Sequence, residues 1–247
     1  MRSRYLTTRA FVLHKSAQDK KYADILLFTE ELGKVWIKAS GVQSAKSKRA
    51  AQLEPLQEIK VELYYAGGTM PMVTHVDILD AYSGIKAEYE QLNIGYALME
   101  IIHKLLPYEE KNPQVYALIG EILEALQNTP KRMELFLLMH IRLLNVLGYL
   151  HDVTHCMECE LHLSKAERVF MDPEVLTVFC SQCTIGQMSL EPVELDIVKV
   201  IVFYARETVS RSLDLAIPDV VLQKTQGLVS RALQSLIGMP LVSAALL

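Results

Sequence analysis

From Thr8 to Leu79 the chain runs in short stretches of period two. Thr8–Lys15 sets Phe11 and Leu13 on one side and Ala10 and Val12 on the other, and Asp24–Thr29 is a short apolar run before the turn Glu30-Glu31-Leu32-Gly33. Lys34–Ser40 points Val35, Ile37 and Ala39 one way and Lys34, Trp36 and Lys38 the other, as a half-buried strand does. Ile59, Val61, Leu63 and Tyr65 alternate again, Gly67-Gly68 signals a hairpin, and Met72–Leu79 returns as a fifth strand. Five short strands predict a small closed barrel, OB-like or SH3-like, and periodicity alone does not choose between them.

From Ser83 the period becomes helical. Ile85, Tyr89, Leu92, Tyr96, Met99 and Ile102 or His103 predict one continuous helical face. Asn112-Pro113 reads as an N-cap followed by proline at the first helical position. A third helix starts near Pro130. It is apolar nearly all round through Leu135–Leu144, which predicts a buried element, and Gly148 is placed to cap it. Two more helices are expected near 190–210 and 219–237, ending at Gly238 and Pro240.

Composition adds that this is a chain with real cores, 51% hydrophobic and 22% charged. The longest apolar stretch, Met133–Leu150, is interrupted by Glu134, His140 and Arg142, so no membrane helix is expected, and the start Met1–Tyr5 does not read as a signal peptide. The net charge of −4 hides an asymmetry: Arg2 to Arg49 holds 11 Lys and Arg against four acids. A basic end on an acidic remainder points to an anionic partner for that end.

All four cysteines fall in the pattern Cys156-x2-Cys159-x20-Cys180-x2-Cys183. Each C-x-x-C turn aims two sulfurs at one point, and two such turns close a tetrahedral thiolate shell, so the spacing predicts a structural zinc ion with no open coordination position. The intervening residues can form a hairpin, Val169-Phe170 against Val175–Phe179 around Asp172-Pro173. Two disulfides do not fit a chain without a secretory signal, and a redox pair needs one C-x-x-C in an α/β fold. His151, His155 and His162 lie close enough in sequence to replace one sulfur.

The basic end carries the second constellation. Lys34, Trp36 and Lys38 share one strand face, and the loop Gly41–Arg49 follows with Lys46, Lys48 and Arg49. Cations for phosphates, a pliant backbone and an aromatic ring for stacking are what nucleic-acid binding requires. Trp36 could equally cap the barrel core. Ser40–Ser47 has a superficial likeness to a phosphate-binding loop, but Ser40 and Ala45 stand where glycines are needed, so no ATP binding is expected. No hydrolase or metalloprotease motif is present in the sequence.

Taken in order, several stretches resemble the RecO family of bacterial recombination mediators. They are Ala10–Leu13 through Leu27–Glu30, Gly33-Lys34, Gly41–Arg49, Leu53-Glu-Pro-Leu56, Leu147-Gly148-Tyr149 and Cys156-x2-Cys159. The resemblance implies an α+β chain, with an N-terminal five-stranded OB-fold barrel followed by an all-helical domain carrying the four-cysteine zinc module. The expected segments are 1–80 for the barrel, 81–150 and 189–247 for the helical domain, and 151–188 for the zinc module. The resemblance also implies a non-enzymatic cytoplasmic, nucleoid-associated protein. Such a protein binds single- and double-stranded DNA and anneals complementary strands without ATP. It works with RecR and with the tail of single-stranded-DNA-binding protein to load RecA. The alternative is a protein-interaction scaffold built on a barrel and a structural metal module.

Overall fold

The computed structural model describes residues 4–16, 22–42, 47–67, 70–184 and 189–238. Internal contacts divide the chain into two compact units, one running to Asn128 and the other from Thr129.

The first unit is built on β1 (Tyr5–Ser16), β2 (Tyr22–Thr29), β3 (Gly33–Ser40), a short helix α1 (Lys48–Gln52), β4 (Glu58–Tyr64) and β5 (Met72–Asp80). The strands follow the barrel order β1-β2-β3-β5-β4, with β4 pairing back to β1. This is OB-fold connectivity, which decides between the two barrels that periodicity left open. The seam is thin: among the described residues β3 meets β5 in parallel at Lys38 opposite Met72, where the Lys38 N–H donates to the Pro71 carbonyl at 2.8 Å. Strand β1 serves both halves of the barrel. It pairs with β4 over Tyr5–Phe11 and with β2 from Ala10 on, and an irregularity between Val12 and His14 re-aims it.

Ala10, Val12, Ile25, Leu27, Val35, Ile37, Ile59, Val61 and Leu63 fill the interior. Phe11 and Phe28, on the opposite face, are also buried, against the ring of Tyr116, whose centroid is 4.8 Å from that of Phe11. Cover on both faces explains why β2 reads as an unbroken apolar run. The same tyrosine donates its hydroxyl to Glu58 Oε1 at 2.9 Å, and Arg9 Nη2 meets that oxygen at 2.7 Å.

Tyr116 belongs to the helices that complete this unit: α2 (Ser83–Ala87), α3 (Tyr89–Leu105) and α4 (Pro113–Asn128). Asn112 Oδ1 accepts the Val115 N–H at 3.0 Å, the expected cap. The single helical face expected from Ile85 to Ile102 is corrected. Glu88 is extended (φ −124°, ψ 127°) and breaks the helix. The phase resets there, so α3 buries Ile94, Ala97, Leu98 and Ile101 beside Met99 and Ile102 of the expected face, while Tyr89 and Tyr96 are exposed.

In the second unit, α5 (Arg132–Val146) is buried nearly all round, as its sequence predicts, and Gly148 at φ +78° follows its end. A three-stranded sheet comes next, in the order β7-β6-β8: β6 (Val169–Met171), β7 (Val178–Cys180) and β8 (Glu191–Val193). Strand β8 corrects the expectation of helix from about 190. Pairing Val193 with Val169 keeps the chain extended until Glu194, and only then does α6 (Leu195–Arg206) begin. The chain continues through α7 (Val209–Asp214) to α8 (Asp219–Ile237), which ends at Gly238 with φ +72°.

His140, on α5, is 1% exposed. Gln226 Nε2 of α8 lies 3.2 Å from its Nδ1, and the Phe136 ring centroid is 4.2 Å from that of the imidazole. Burial pushes its pKa down to about 3. The native imidazole therefore stays neutral where the unfolded one, near 6.5, takes a proton. The sign follows: its contribution is complete above about pH 6.5 and is lost as pH falls toward about 3, by up to about 1.4 kcal/mol per pH unit. Urea unfolding of wild type and His140→Gln between pH 7 and pH 4 should show the wild type losing stability faster; parallel losses would refute this.

Candidate metal centre and nucleic-acid interface

The cysteine module is positioned by its backbone. At the first turn the Glu160 N–H donates to the Cys156 carbonyl at 2.9 Å, and at the second the Cys183 N–H donates to the Cys180 carbonyl at 3.0 Å. The Met157 N–H reaches the Val178 carbonyl at 2.8 Å and ties the first turn to β7. All four sulfurs then lie within 4.8 Å of one another, with Cys159 and Cys180 Sγ 3.7 Å apart. A tetrahedron with metal–sulfur bonds of about 2.3 Å has edges of about 3.8 Å, so the shell has the size such an ion needs. The cysteines form no disulfide. Desolvation opposes ionisation of Cys156, but N–H groups of Cys159, Cys180 and Glu158 outweigh it and draw the thiol pKa down to about 6. The four residues therefore could hold a metal ion.

The nearby histidines stand outside the cluster. His155 Nδ1 pairs with Asp152 at 2.8 Å, His162 Nδ1 lies 2.8 Å from the Ser164 hydroxyl, and the two rings meet edge to face at 5.0 Å. His151 is exposed. Among the described residues, the potential ligand set is four cysteines and no histidine.

The basic constellation on the barrel is only partly brought together. Lys38 and Lys48 are exposed, and Trp36 stands half-buried on the outer face. Lys34 is corrected. It is 3% exposed, its ammonium donates to the His103 carbonyl, and it sits 4.2 Å from the Tyr108 ring centroid. Burial lowers its pKa, and a side chain so engaged is not free to meet a phosphate. Arg49 is half-buried and donates to the Thr74 carbonyl at 3.1 Å, so it braces β5. Lys48 and Arg49 belong to helix α1 rather than to a loop, and Val42 packs into the barrel core. Lys46 lies outside the described residues.

Trp36 does not cap the core. Its indole N–H donates to the Tyr108 hydroxyl at 3.2 Å, and its ring meets those of His14 and His103 edge-on, each at 6.2 Å. It borders a groove of about 1290 Å³ lined also by Arg4, Tyr5, Tyr65, Met70, Pro71 and Tyr108. Tyr5 and Tyr108 are 53% and 50% exposed, with the Tyr5 ring 4.9 Å from that of Tyr64 and the Lys34 ammonium 4.2 Å from the Tyr108 centroid. The sequence reading did not single out these tyrosines as groove residues: Tyr5 opens β1, Tyr65 follows β4 and was read only as part of its alternation, and Tyr108 comes from the α3–α4 connector.

The comparisons with known proteins come down on one family. The profile described as "Recombination protein O C terminal" matches residues 87–245, and "Recombination protein O N terminal" matches residues 1–82. The chain belongs to the RecO family. It is 29% identical over 168 residues to the DNA repair protein RecO of Geobacter metallireducens, covering 66% of this chain and 67% of that one. It is 26% identical over 194 residues to that of Dehalococcoides mccartyi strain 195, covering 78% of this chain and 76% of that one. Membership in RecO places the chain among proteins of DNA repair and recombination. No described helix is long and apolar enough to cross a membrane.

In this RecO-family chain the four-sulfur shell leads to a direct expectation. Cobalt(II) titrated into reduced, metal-free protein should give the thiolate charge-transfer and ligand-field bands of a tetrahedral site, saturating at one ion per chain. Cys156→Ser should weaken the binding and loosen residues 151–184, because binding there is folding energy. Saturation without those bands would overturn the four-thiolate reading.

Proposed function

We propose that the chain is a non-enzymatic DNA mediator. It binds single- and double-stranded DNA, anneals complementary strands without ATP and, with RecR, assists RecA loading onto DNA coated by single-stranded-DNA-binding protein. The observation that carries this reading is the OB barrel with an aromatic groove at Tyr5, Trp36, Tyr65 and Tyr108 and exposed cations at Lys38 and Lys48. Stacking rings and backbone-tracking cations are the two elements of single-strand binding. The four cysteines, Cys156, Cys159, Cys180 and Cys183, hold one zinc ion. A full thiolate shell leaves no position for an activated water, so the metal is structural.

Salt dependence tests the DNA reading. Each phosphate contact on a single strand contributes about 0.7 to the log–log salt slope. Replacing Lys38 and Lys48 with alanine should make the slope shallower by up to about 1.4 and weaken all sequences alike. Binding that is absent at low salt would leave the protein scaffold as the better reading. An unchanged slope would remove these two lysines from the DNA path.

A second groove, of about 580 Å³, suits the acidic tail of single-stranded-DNA-binding protein. Pro192, Val193, Ile197 and Leu228 supply its apolar lining. Arg231 pairs with Glu191 and Lys224 with Glu194 along it, all four partly exposed, so a peptide carboxylate can compete for either cation. Fluorescence anisotropy at low salt should detect a short acidic peptide ending in an aromatic residue. Arg231→Ala should weaken that binding several-fold, as loss of a charge-assisted bond does; equal affinity would place the tail elsewhere.

A further inference from the structure

The groove that suits an acidic tail and the cysteine module share a strand. Strand β8 gives Glu191, Pro192 and Val193 to the groove, and the rest of its lining comes from the start of α6 and from α8. By itself β8 has little to hold it in place. It is three residues long, with Pro192 exposed and Glu191 and Val193 half-buried, and a proline has no N–H to give to a ladder. On the groove side its fastenings are the ion pairs of Arg231 with Glu191 and Lys224 with Glu194, all four side chains about half exposed. Exposed pairs of this kind contribute little.

What remains is β6. Its Val169 pairs with Val193 on one side and with Cys180 of β7 on the other. The first cysteine turn is fastened to β7 in the same way: the Met157 N–H donates to the Val178 carbonyl at 2.8 Å, and the Cys180 N–H donates to Cys156 Sγ at 3.4 Å. From the cysteine shell to the groove wall, every step is a strand pairing or a hydrogen bond from a backbone N–H, all within the second unit.

We propose that the cysteine shell and the groove are energetically coupled through β8. With Cys156, Cys159, Cys180 and Cys183 drawn onto a metal ion, β7 and β6 are fixed, β8 stays paired to β6, and the groove keeps the wall it needs to take an acidic peptide with an apolar end. The coupling deepens the tail-groove reading and rests on it. Two effects of releasing β8 oppose each other. Withdrawal of Glu191 and Glu194 frees Arg231 and Lys224 for a peptide carboxylate. Withdrawal of Pro192 and Val193 opens the apolar wall that takes the last side chain of the peptide out of water. Freeing a half-exposed cation gains little, whereas a concave site opened on one side loses apolar surface that it could bury. The net effect of metal loss is weaker peptide binding.

Such coupling is reciprocal, which gives two independent readouts. A fluorescein-labelled acidic peptide ending in phenylalanine is titrated by anisotropy at low salt into zinc-loaded protein and into protein stripped by a chelator under reducing conditions. Stripping should weaken binding about five- to fiftyfold, and added zinc should restore it. Saturating peptide should raise the affinity for zinc by the same factor, measured by competition with a chromophoric chelator. Hydrogen exchange separates release of β8 from general unfolding: stripped protein should lose protection in residues 189–194 while α5 and α8 keep theirs. Peptide affinity that is equal or higher without metal, or a zinc affinity indifferent to peptide, would overturn the coupling and spare the groove. Loss of protection throughout α5 and α8 would overturn the route through β8. A zinc-loaded protein that binds no peptide would remove both the groove reading and the coupling.

Discussion

Among the described residues, strand β3 has one partner along its whole length, pairing with β2 from Gly33 to Ser40, and on its other side it meets β5 at Lys38. A strand edge left bare inside a folded unit strands donors and acceptors that water would otherwise satisfy. The first unit answers with the α3–α4 connector. Tyr108 bridges to Lys34, the Glu109 N–H bonds the Lys34 carbonyl, and the backbone comes so close to Gly33 that an added Cβ would fall 1.9 Å from the Glu110 carbonyl oxygen. Gly33 also sits at φ +71°, so both space and backbone conformation demand glycine there. Burial of Lys34, the position of Tyr108 and the groove beside Trp36 are all consequences of how that edge is covered.

The second unit meets a different constraint. Strands of three residues, β6, β7 and β8, bury too little surface to hold a sheet by themselves. Cys156 and Cys180 are each 1% exposed and take core positions, while Cys159 and Cys183 approach from the outer side. A metal closing that shell would supply the cohesion that a small hydrophobic core lacks. Pairing of Val169 with both Cys180 and Val193 then transmits that order to β8 and on to the start of α6.

What could be read from the sequence follows from the range of each interaction. The five strands were legible because alternation and short apolar runs are local, and the cysteine shell because each C-x-x-C turn fixes two ligands within four residues. The direction in which Lys34, Trp36 and Lys38 point was legible for the same reason. Their environment was not: the groups that engage Lys34 are His103 and Tyr108, about seventy residues on. The phase of α3 was misjudged because one extended residue, Glu88, resets a helical count that periodicity carries through. Helix α1 and strand β8, of five and three residues, are too short to impose a period. They exist because Arg49 and Gln52 donate to the free Thr74 and Val76 carbonyls of β5, and because Glu191–Val193 pairs with β6.

The acidic net charge bears on how such a protein handles DNA. With −4 overall and cations concentrated before Arg49, attraction is local to the barrel and the remainder repels phosphate. On the proposed reading, contact with DNA is confined to the barrel and readily screened by salt, which suits a protein that must let go of the strand.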